Sequence, residues 1–345
     1  MRIPAQNPQA IEALSLVEEL QAYFASKLNN VSATIGSNLP FVEVEWMRDA
    51  GRHGGGTRYE ARDTALFNRG SINVSQVHYD DNPNKQLGSA TAISTIIHPL
   101  NPNVPSMHMH ISWTQMRDGS AYWRIMADLN PALKNEDDKN AFDTMLKSSS
   151  GSYYEEGILQ GNKYFDIPVL KRTRGVSHFY LENFNTGDFE KDYAFAKNMG
   201  EKIIDAYTEI ITQAINNNHN STEEEKAEQL AYHTLYLFQV LTLDRGTTSG
   251  LLVHDQNDIG IMGSIPSHIN RNLLTSWVTK MPKPQDALVL ALLDAMPKTN
   301  PTPIEIDTKK KLAQVVRTHY AKHKEALSMQ ASGGIIPPTV KNHKD

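Results

Sequence analysis

Residues 92–115 constrain the fold more tightly than any other stretch. Ala92-Ile-Ser-Thr-Ile-Ile97 is apolar and β-branched, the composition of a strand. His98-Pro-Leu-Asn-Pro-Asn-Val-Pro-Ser106 holds three prolines and two asparagines, so it cannot be helical and reads as a structured loop. From Met107 to Gln115 the residues alternate. Met107, Met109, Ile111 and Trp113 fall on one face, and His108, His110, Ser112 and Thr114 on the other. The unit is a strand, a stiff loop and a second strand with one apolar and one polar face. The apolar face requires a packed layer. The polar face reads either as a solvent face or, with three of the 13 histidines gathered at His98, His108 and His110, as part of a site.

The same alternation recurs elsewhere. Phe41–Trp46, Phe67–Tyr79, Tyr122–Asp128 and Val176–Asn183 read as further strands. Ile72, Val74, Gln76 and His78 share one side of the second, and His178, Tyr180 and Glu182 one side of the last. Helical spacing marks residues 8–29, with Pro8 in the first turn. Residues 135–165 read as a polar helix and an irregular connector. A long helix over 189–217, capped by Thr186 or Asp188, meets a polar break at 216–220, and Ser221-Thr-Glu-Glu-Glu225 opens another helix. Leu235–Leu243 is expected to be a strand and Asp255–Asp258 a hairpin, with helices near 284–297 and 307–328. Arg48-Asp-Ala-Gly-Arg-His-Gly-Gly-Gly-Thr-Arg58 lacks the Gly-Lys-Ser/Thr of a phosphate loop. Taken alone it reads as a mobile loop, tied to the sheet by Arg48, Asp49 and Arg58, whose glycines allow close approach to a ligand or a neighbouring strand. Strands with hairpin-like links precede the helices, which points to an α+β fold with a mainly antiparallel sheet. No repeat or linker divides the chain, so residues 1–330 are read as one domain and 331–345 as a loose tail.

Composition removes several classes of function. The net charge is −5 and no basic tract stands out, which argues against nucleic acid. With no cysteine there is no disulfide scaffold, thiolate metal site or cysteine nucleophile, and a reducing compartment suits such a chain. No apolar run reaches 18 residues and no signal pattern opens the sequence, so a cytoplasmic protein without a membrane span is expected.

Several blocks carry a family resemblance. They are Glu45-Trp-Met-Arg-Asp-Ala-Gly51 with Gly54-Gly-Gly-Thr-Arg58, Asn73-Val-Ser-Gln-Val-His78, and Ser94 through His98-Pro-Leu-Asn-Pro-Asn-Val-Pro105 to His108. Asp128-Leu-Asn-Pro131, Arg174-Gly-Val176, Asn185-Thr-Gly-Asp-Phe189 and Asp244-Arg-Gly-Thr247 follow in order. Together, over about residues 41–270, they resemble the oxygen-dependent coproporphyrinogen III oxidases. The resemblance implies a large antiparallel sheet with helices on both faces, and a homodimer. It implies oxidative decarboxylation of porphyrinogen propionates to vinyl groups, with O2 as co-substrate and no organic cofactor. It assigns His108 as proton donor, Ser94 as a substrate contact and Arg174 to the substrate carboxylates. Asn101, Arg58, Asp244 and Arg245 lie in matched blocks and are expected to bind substrate. Glu182 and Asn183 stand where the family has an acidic pair beside the pyrrole nitrogens.

The departures fall on chemistry. Where the family has Asn-Val-Arg, this chain has His110-Ile-Ser112, so an arginine expected to meet a propionate is missing. His98 and His108 match histidines assigned as metal ligands in bacterial members, and His110 is gained beside them. The three, with Glu182, would form a mononuclear site for manganese, iron or copper. His53, His78 and His178 read as ordinary polar residues. Three functions follow: a divergent coproporphyrinogen oxidase, a relative repurposed as a metal-assisted oxidase or decarboxylase of another carboxylic acid, and a non-catalytic tetrapyrrole-binding protein.

Overall fold

The computed structural model describes the whole chain except residues 38, 218–219, 336–339, 341–342 and 344–345. Helix α1 (Pro8–Thr34) opens the fold. Asn7 caps it, its side-chain oxygen accepting from the backbone N–H of Gln9 at 2.9 Å and of Ala10 at 3.3 Å. Strands β1 (Val42–Met47), β2 (Gly54–Glu60), β3 (Phe67–His78), β4 (Leu87–Pro99), β5 (Ser106–Met116) and β6 (Ala121–Asn130) follow. Then come α2 (Glu136–Ser150), α3 (Tyr154–Tyr164), the two-residue pair β7 (Asp166–Ile167) and β8 (Arg172–Thr173), and β9 (Ser177–Phe184). A seven-stranded antiparallel sheet runs β1-β2-β3-β4-β5-β6-β9. The remainder is helical apart from the short pair β10 (His268–Ile269) and β11 (Thr302–Pro303). The helices are α4 (Phe189–Asn217), α5 (Glu223–Thr242), α6 (Arg245–Val253), α7 (Asp258–Ile261), α8 (Arg271–Trp277), α9 (Gln285–Ala295) and α10 (Ile306–Lys322).

The alternation along β5 sorts the two faces of the sheet. Met107, Met109, Ile111 and Trp113 enter one core with Leu16, Leu20 and Phe24 of α1 and with Met199, Ile203 and Tyr207 of α4. Ile96 and the buried side chains of α5, α8, α9 and α10 form a second core on the opposite face. The expected α+β sheet with helices on both faces is what forms. His108, His110, Ser112 and Thr114 turn toward the second helical layer, but a cavity separates them from it. Among the described residues no helix is long and apolar enough to cross a membrane.

Three expectations are corrected. The glycine-rich stretch is an internal strand and not a mobile loop: β2 pairs with β1 on one side and β3 on the other. Its backbone lies so close to both neighbours that a Cβ on Gly55 would sit 2.3 Å from the Trp46 carbonyl oxygen. Leu235–Leu243 is not a strand. Thr222 and Glu225 form a reciprocal capping box, and α5 continues from it through Thr242. Every residue from Tyr232 to Thr242 is buried, so this part of the helix is enclosed on all sides, and such a run has no period that separates it from a strand. The hairpin expected at Asp255–Asp258 is a short 3₁₀ turn leading into α7. Arg317 of α10 fixes it by donating to Asp258 at 2.7 Å. The polar break at 216–220 lies partly outside the described residues, as does the tail beyond Ile335.

Gly56 gives the fold its sharpest test. A Cβ there would meet the Val74 carbonyl oxygen at 2.0 Å and the Trp46 indole nitrogen at 2.7 Å. Gly56→Ala is expected to destabilise the protein by about 3 kcal/mol through forced separation of β2 from β3, measured as a lower urea midpoint at unchanged slope.

Candidate active site

The register stacks polar residues into rows across one face of the sheet. Ser94 of β4 stands opposite His110 of β5, which stands opposite Met126 of β6 and then Tyr180 of β9. The next row runs Ile96, His108, Asp128 and His178. On the other side, Ser112 faces Arg124. These rows floor a cavity of about 270 Å³, roofed by α5, α6 and the α7 region.

His108 is the best-organised group in it. Its Nδ1 lies 2.7 Å from Asp128 Oδ1. An ionised carboxylate accepts from Nδ1–H, which fixes the ring orientation and leaves Nε2 as the acceptor tautomer. Asp128 is fully buried, and the Nε and Nη2 of Arg174 donate to its Oδ2 at 3.2 and 2.8 Å. Asn130 donates to the same oxygen at 2.6 Å. Burial opposes ionisation of Asp128, but the Arg174 guanidinium and the hydrogen bonds from His108 and Asn130 outweigh it and hold the carboxyl well below its ordinary range. Arg174 is itself fixed: Nη1 donates to Gln239 at 2.7 Å, and the guanidinium lies over the rings of Phe165 and Tyr236 at 4.5 and 4.9 Å. Its charge therefore compensates Asp128.

His110 differs from its neighbour. Its Nε2 is 3.0 Å from Ser112 Oγ. Burial, assisted by the nearby His108 and Arg124, pushes its pKa down to about 3. It is a neutral hydrogen-bonding group at physiological pH. Glu182 also lines the cavity. Burial raises its carboxyl above the ordinary range, against the pull of the Ile335 and Gly333 backbone N–H groups. Among the described residues, its Oε1 is buried without a hydrogen-bond partner, as is Nη2 of Arg245. Asp244 caps α6, accepting from the Thr247 N–H at 2.6 Å and from the Tyr164 hydroxyl at 3.1 Å.

The expected residues divide accordingly. Ser94, His108, His110, Ser112, Glu182, Asp244 and Arg245 come together on the cavity, and Arg174 reaches its wall as the partner of Asp128. Four others do not belong to its lining. Arg58 forms an ion pair with Glu60 at 2.7 Å. Asn101 closes its own turn, its side chain accepting from the Asn103 N–H at 3.0 Å. Asn183 is exposed, because the strand period turns it away from Glu182. His98 is buried, with Nδ1 2.9 Å from Ser106 Oγ and Nε2 3.2 Å from the Ser264 carbonyl. The expected metal set of His98, His108 and His110 does not fit an ion. Both ring nitrogens of His98 are engaged, by Ser106 and by the Ser264 carbonyl, and Nε2 of His110 is engaged by Ser112. Among the described residues no three histidine, aspartate or glutamate side chains are placed to hold a metal.

Sequence reasoning missed two groups, Asp128 and Arg124. Asp128 was visible only as part of a motif, and pairing Met107–Gln115 with Tyr122–Asp128 in register would have placed it beside His108. The same register sets Arg124 opposite Ser112, so the cavity has a guanidinium beside the serine that stands where the resemblance implies an arginine.

The profile of a family described as coproporphyrinogen III oxidase matches residues 12–292. This chain belongs to the coproporphyrinogen III oxidase family. An oxygen-dependent coproporphyrinogen-III oxidase of Rickettsia rickettsii (strain Sheila Smith) is 30% identical to it over 246 residues, covering 67% of this chain and 85% of the relative. One from Rickettsia bellii (strain OSU 85-389) is 29% identical over 244 residues, 66% and 84% of the two chains. One from Rickettsia akari (strain Hartford) is 27% identical over 246 residues, 67% and 85%. The family match spans the sheet, α5 and α6, and so contains every cavity residue named above.

Two outcomes follow from these charges. Asp128→Asn removes the anion that compensates the buried Arg174 and is expected to cost about 3–5 kcal/mol in chemical denaturation. The His110 pKa is lower folded than unfolded, so unfolding takes up a proton below about pH 6.5 and stability falls as the pH drops toward 3. His110→Gln is expected to reduce proton uptake on unfolding by about one between pH 6 and pH 4, read from the pH dependence of the unfolding free energy.

Proposed function

We propose that this protein catalyses the oxygen-dependent oxidative decarboxylation of coproporphyrinogen III, the reaction for which its Rickettsia relatives are named. The observation that carries the reading is His108 held by Asp128 at the floor of a cavity that also presents Arg245, Arg124 and Glu182. For each side chain, a propionate, one proton and O2 give a vinyl group, CO2 and H2O2. Two electrons leave the substrate and reduce oxygen, so no organic cofactor is required by the balance. The protein must hold carboxylates, place a proton carrier and exclude water.

The residues suit those tasks. His108 accepts and delivers a proton at Nε2, with Asp128 fixing the ring through Nδ1. Arg245, whose Nη2 is unpartnered, binds a propionate carboxylate, and Arg124 supports a second one from β6. Glu182 Oε1 accepts from a pyrrole N–H. Ser94, Ser112 and neutral His110 supply hydrogen bonds along the floor. Asp244 orients the first turn of α6 and hence Arg245. A cytoplasmic homodimer belongs to the same reading. No feature of the structure favours the repurposed metal enzyme or the non-catalytic binder.

Purified protein given coproporphyrinogen III in air is expected to consume one O2 per vinyl group formed, followed with an oxygen electrode and by the fluorescence of the oxidised porphyrin. Absence of turnover beside an active relative would remove the proposal. His108→Ala is expected to lower kcat by about 10²–10⁴-fold. Arg245→Ala is expected to raise KM by about 10–100-fold, the equivalent of one lost charge-assisted contact.

A further inference from the structure

The family match ends at residue 292, yet the chain returns to the cavity well after that point. The Ala331 N–H donates to the Leu243 carbonyl at 2.9 Å, and the Ala331 carbonyl accepts from Arg245 Nε at 3.2 Å. Gly333 is buried, and a Cβ there would lie 3.2 Å from Glu182 Oε2. The Ile335 N–H donates to that same oxygen at 2.7 Å. Farther on, His343 lines the cavity, with Nδ1 3.0 Å from the Tyr79 hydroxyl and its carbonyl accepting from Lys85 Nζ at 2.7 Å.

The chemistry of these contacts is specific. Backbone gives one acceptor to Arg245 Nε and two donors, the Gly333 and Ile335 N–H groups, to the Glu182 carboxyl. A ligand carrying carboxylates and pyrrole N–H groups would bring the same kinds of partner to the same two side chains. Volume points the same way. The cavity is about 270 Å³, just below the ~300 Å³ at which sites for drug-sized ligands begin, and the segment is bonded to two of the side chains that line it, Arg245 and Glu182. A four-ring tetracarboxylate is larger than such a ligand. The hold is also slight in apolar terms, since Ala331, Ser332, Gly333 and Gly334 bring little side chain to bury.

We infer that residues 331–335 form a pseudosubstrate strap, seated on Arg245 and Glu182 in the free protein, and that a tetrapyrrole occupies the cavity only when the strap withdraws. The inference rests on the oxidase reading for the identity of its ligand. Binding is then weakened by the fraction of molecules in the strapped state, and loosening the strap strengthens it.

Gly334 permits the test without touching the cavity groups. Its φ of +138° is one that residues with side chains rarely adopt, so Gly334→Val disfavours the seated strap. The expected result is an apparent KM for coproporphyrinogen III lowered by about fivefold at unchanged kcat. An unchanged or raised KM overturns the strap. A second measurement uses the wild-type chain: hydrogen exchange of the 331–335 amides with and without coproporphyrin III, the oxidised tetracarboxylate that is not turned over. Faster exchange in its presence is expected, and equal or slower exchange overturns the proposal, as does failure of coproporphyrin III to bind either protein. If Gly334→Val does not fold, the exchange result decides alone. Wild-type turnover tests the oxidase reading separately, because exchange reports on the strap whether or not turnover occurs.

Discussion

The site depends on one buried ion pair. Asp128 has no exposure, and a carboxylate in that position is unfavourable unless a cation and hydrogen bonds surround it. Arg174 supplies the cation from the short connection between β8 and β9, Gln239 of α5 holds the far side of the guanidinium, and Phe165 and Tyr236 enclose its faces. The pair therefore joins the sheet to the second helical layer at the point where the cavity opens. His108 inherits its orientation from that junction. A change in the packing of α5 is transmitted through Gln239 and Arg174 to the ring that faces the cavity.

The two helical layers do different work because β5 alternates. Its apolar face is fully committed to α1 and α4, which leaves no freedom for the strand to slip by one residue, since a slip would exchange methionines for histidines. Register is what brings His108 opposite Asp128 and Ser112 opposite Arg124. Core packing on one side thus determines chemical geometry on the other. The glycines of β2 contribute in the same manner: close approach of β1, β2 and β3 keeps the sheet continuous on the far side of Asn73, whose cross-strand partner is Ser94.

Much of this was legible in the sequence where period and side chemistry agreed. The strand over 92–97 follows from its β-branched composition, and the strands over 107–115 and 122–128 and the face carrying His108 and His110 follow from alternation. Leu235–Leu243 was misread because a helix buried on every side has no polar stripe to reveal its period. The glycine stretch was misread because glycines give a loop and a crowded strand the same appearance. His98 was singled out by its neighbours in the chain, but its fate depends on Ser106 and the Ser264 carbonyl, and the second lies far away in sequence. Arg174 was expected at the substrate carboxylates, but its guanidinium is held by Asp128 and Gln239, a pairing that could be found only once β6 was set beside β5.

The missing arginine on β5 shows why residues should be compared across strands as well as along them. Read linearly, His110-Ile-Ser112 removes a cation that a carboxylate-bearing substrate needs. In the sheet, Ser112 and Arg124 are a directly opposed pair, with Cβ atoms of such pairs ~5 Å apart. The Arg124 guanidinium lies over the Tyr122 ring, 5.0 Å from its centroid, and donates to the Tyr122 hydroxyl at 3.0 Å. The cavity wall therefore carries a cation on β6, in the same row as Ser112 but turned toward Tyr122. The loss at position 112 therefore does not by itself imply a weaker hold on substrate. A small residue at 112 and an arginine at 124 form one unit: an arginine at both positions would place two like charges side by side in a half-buried wall.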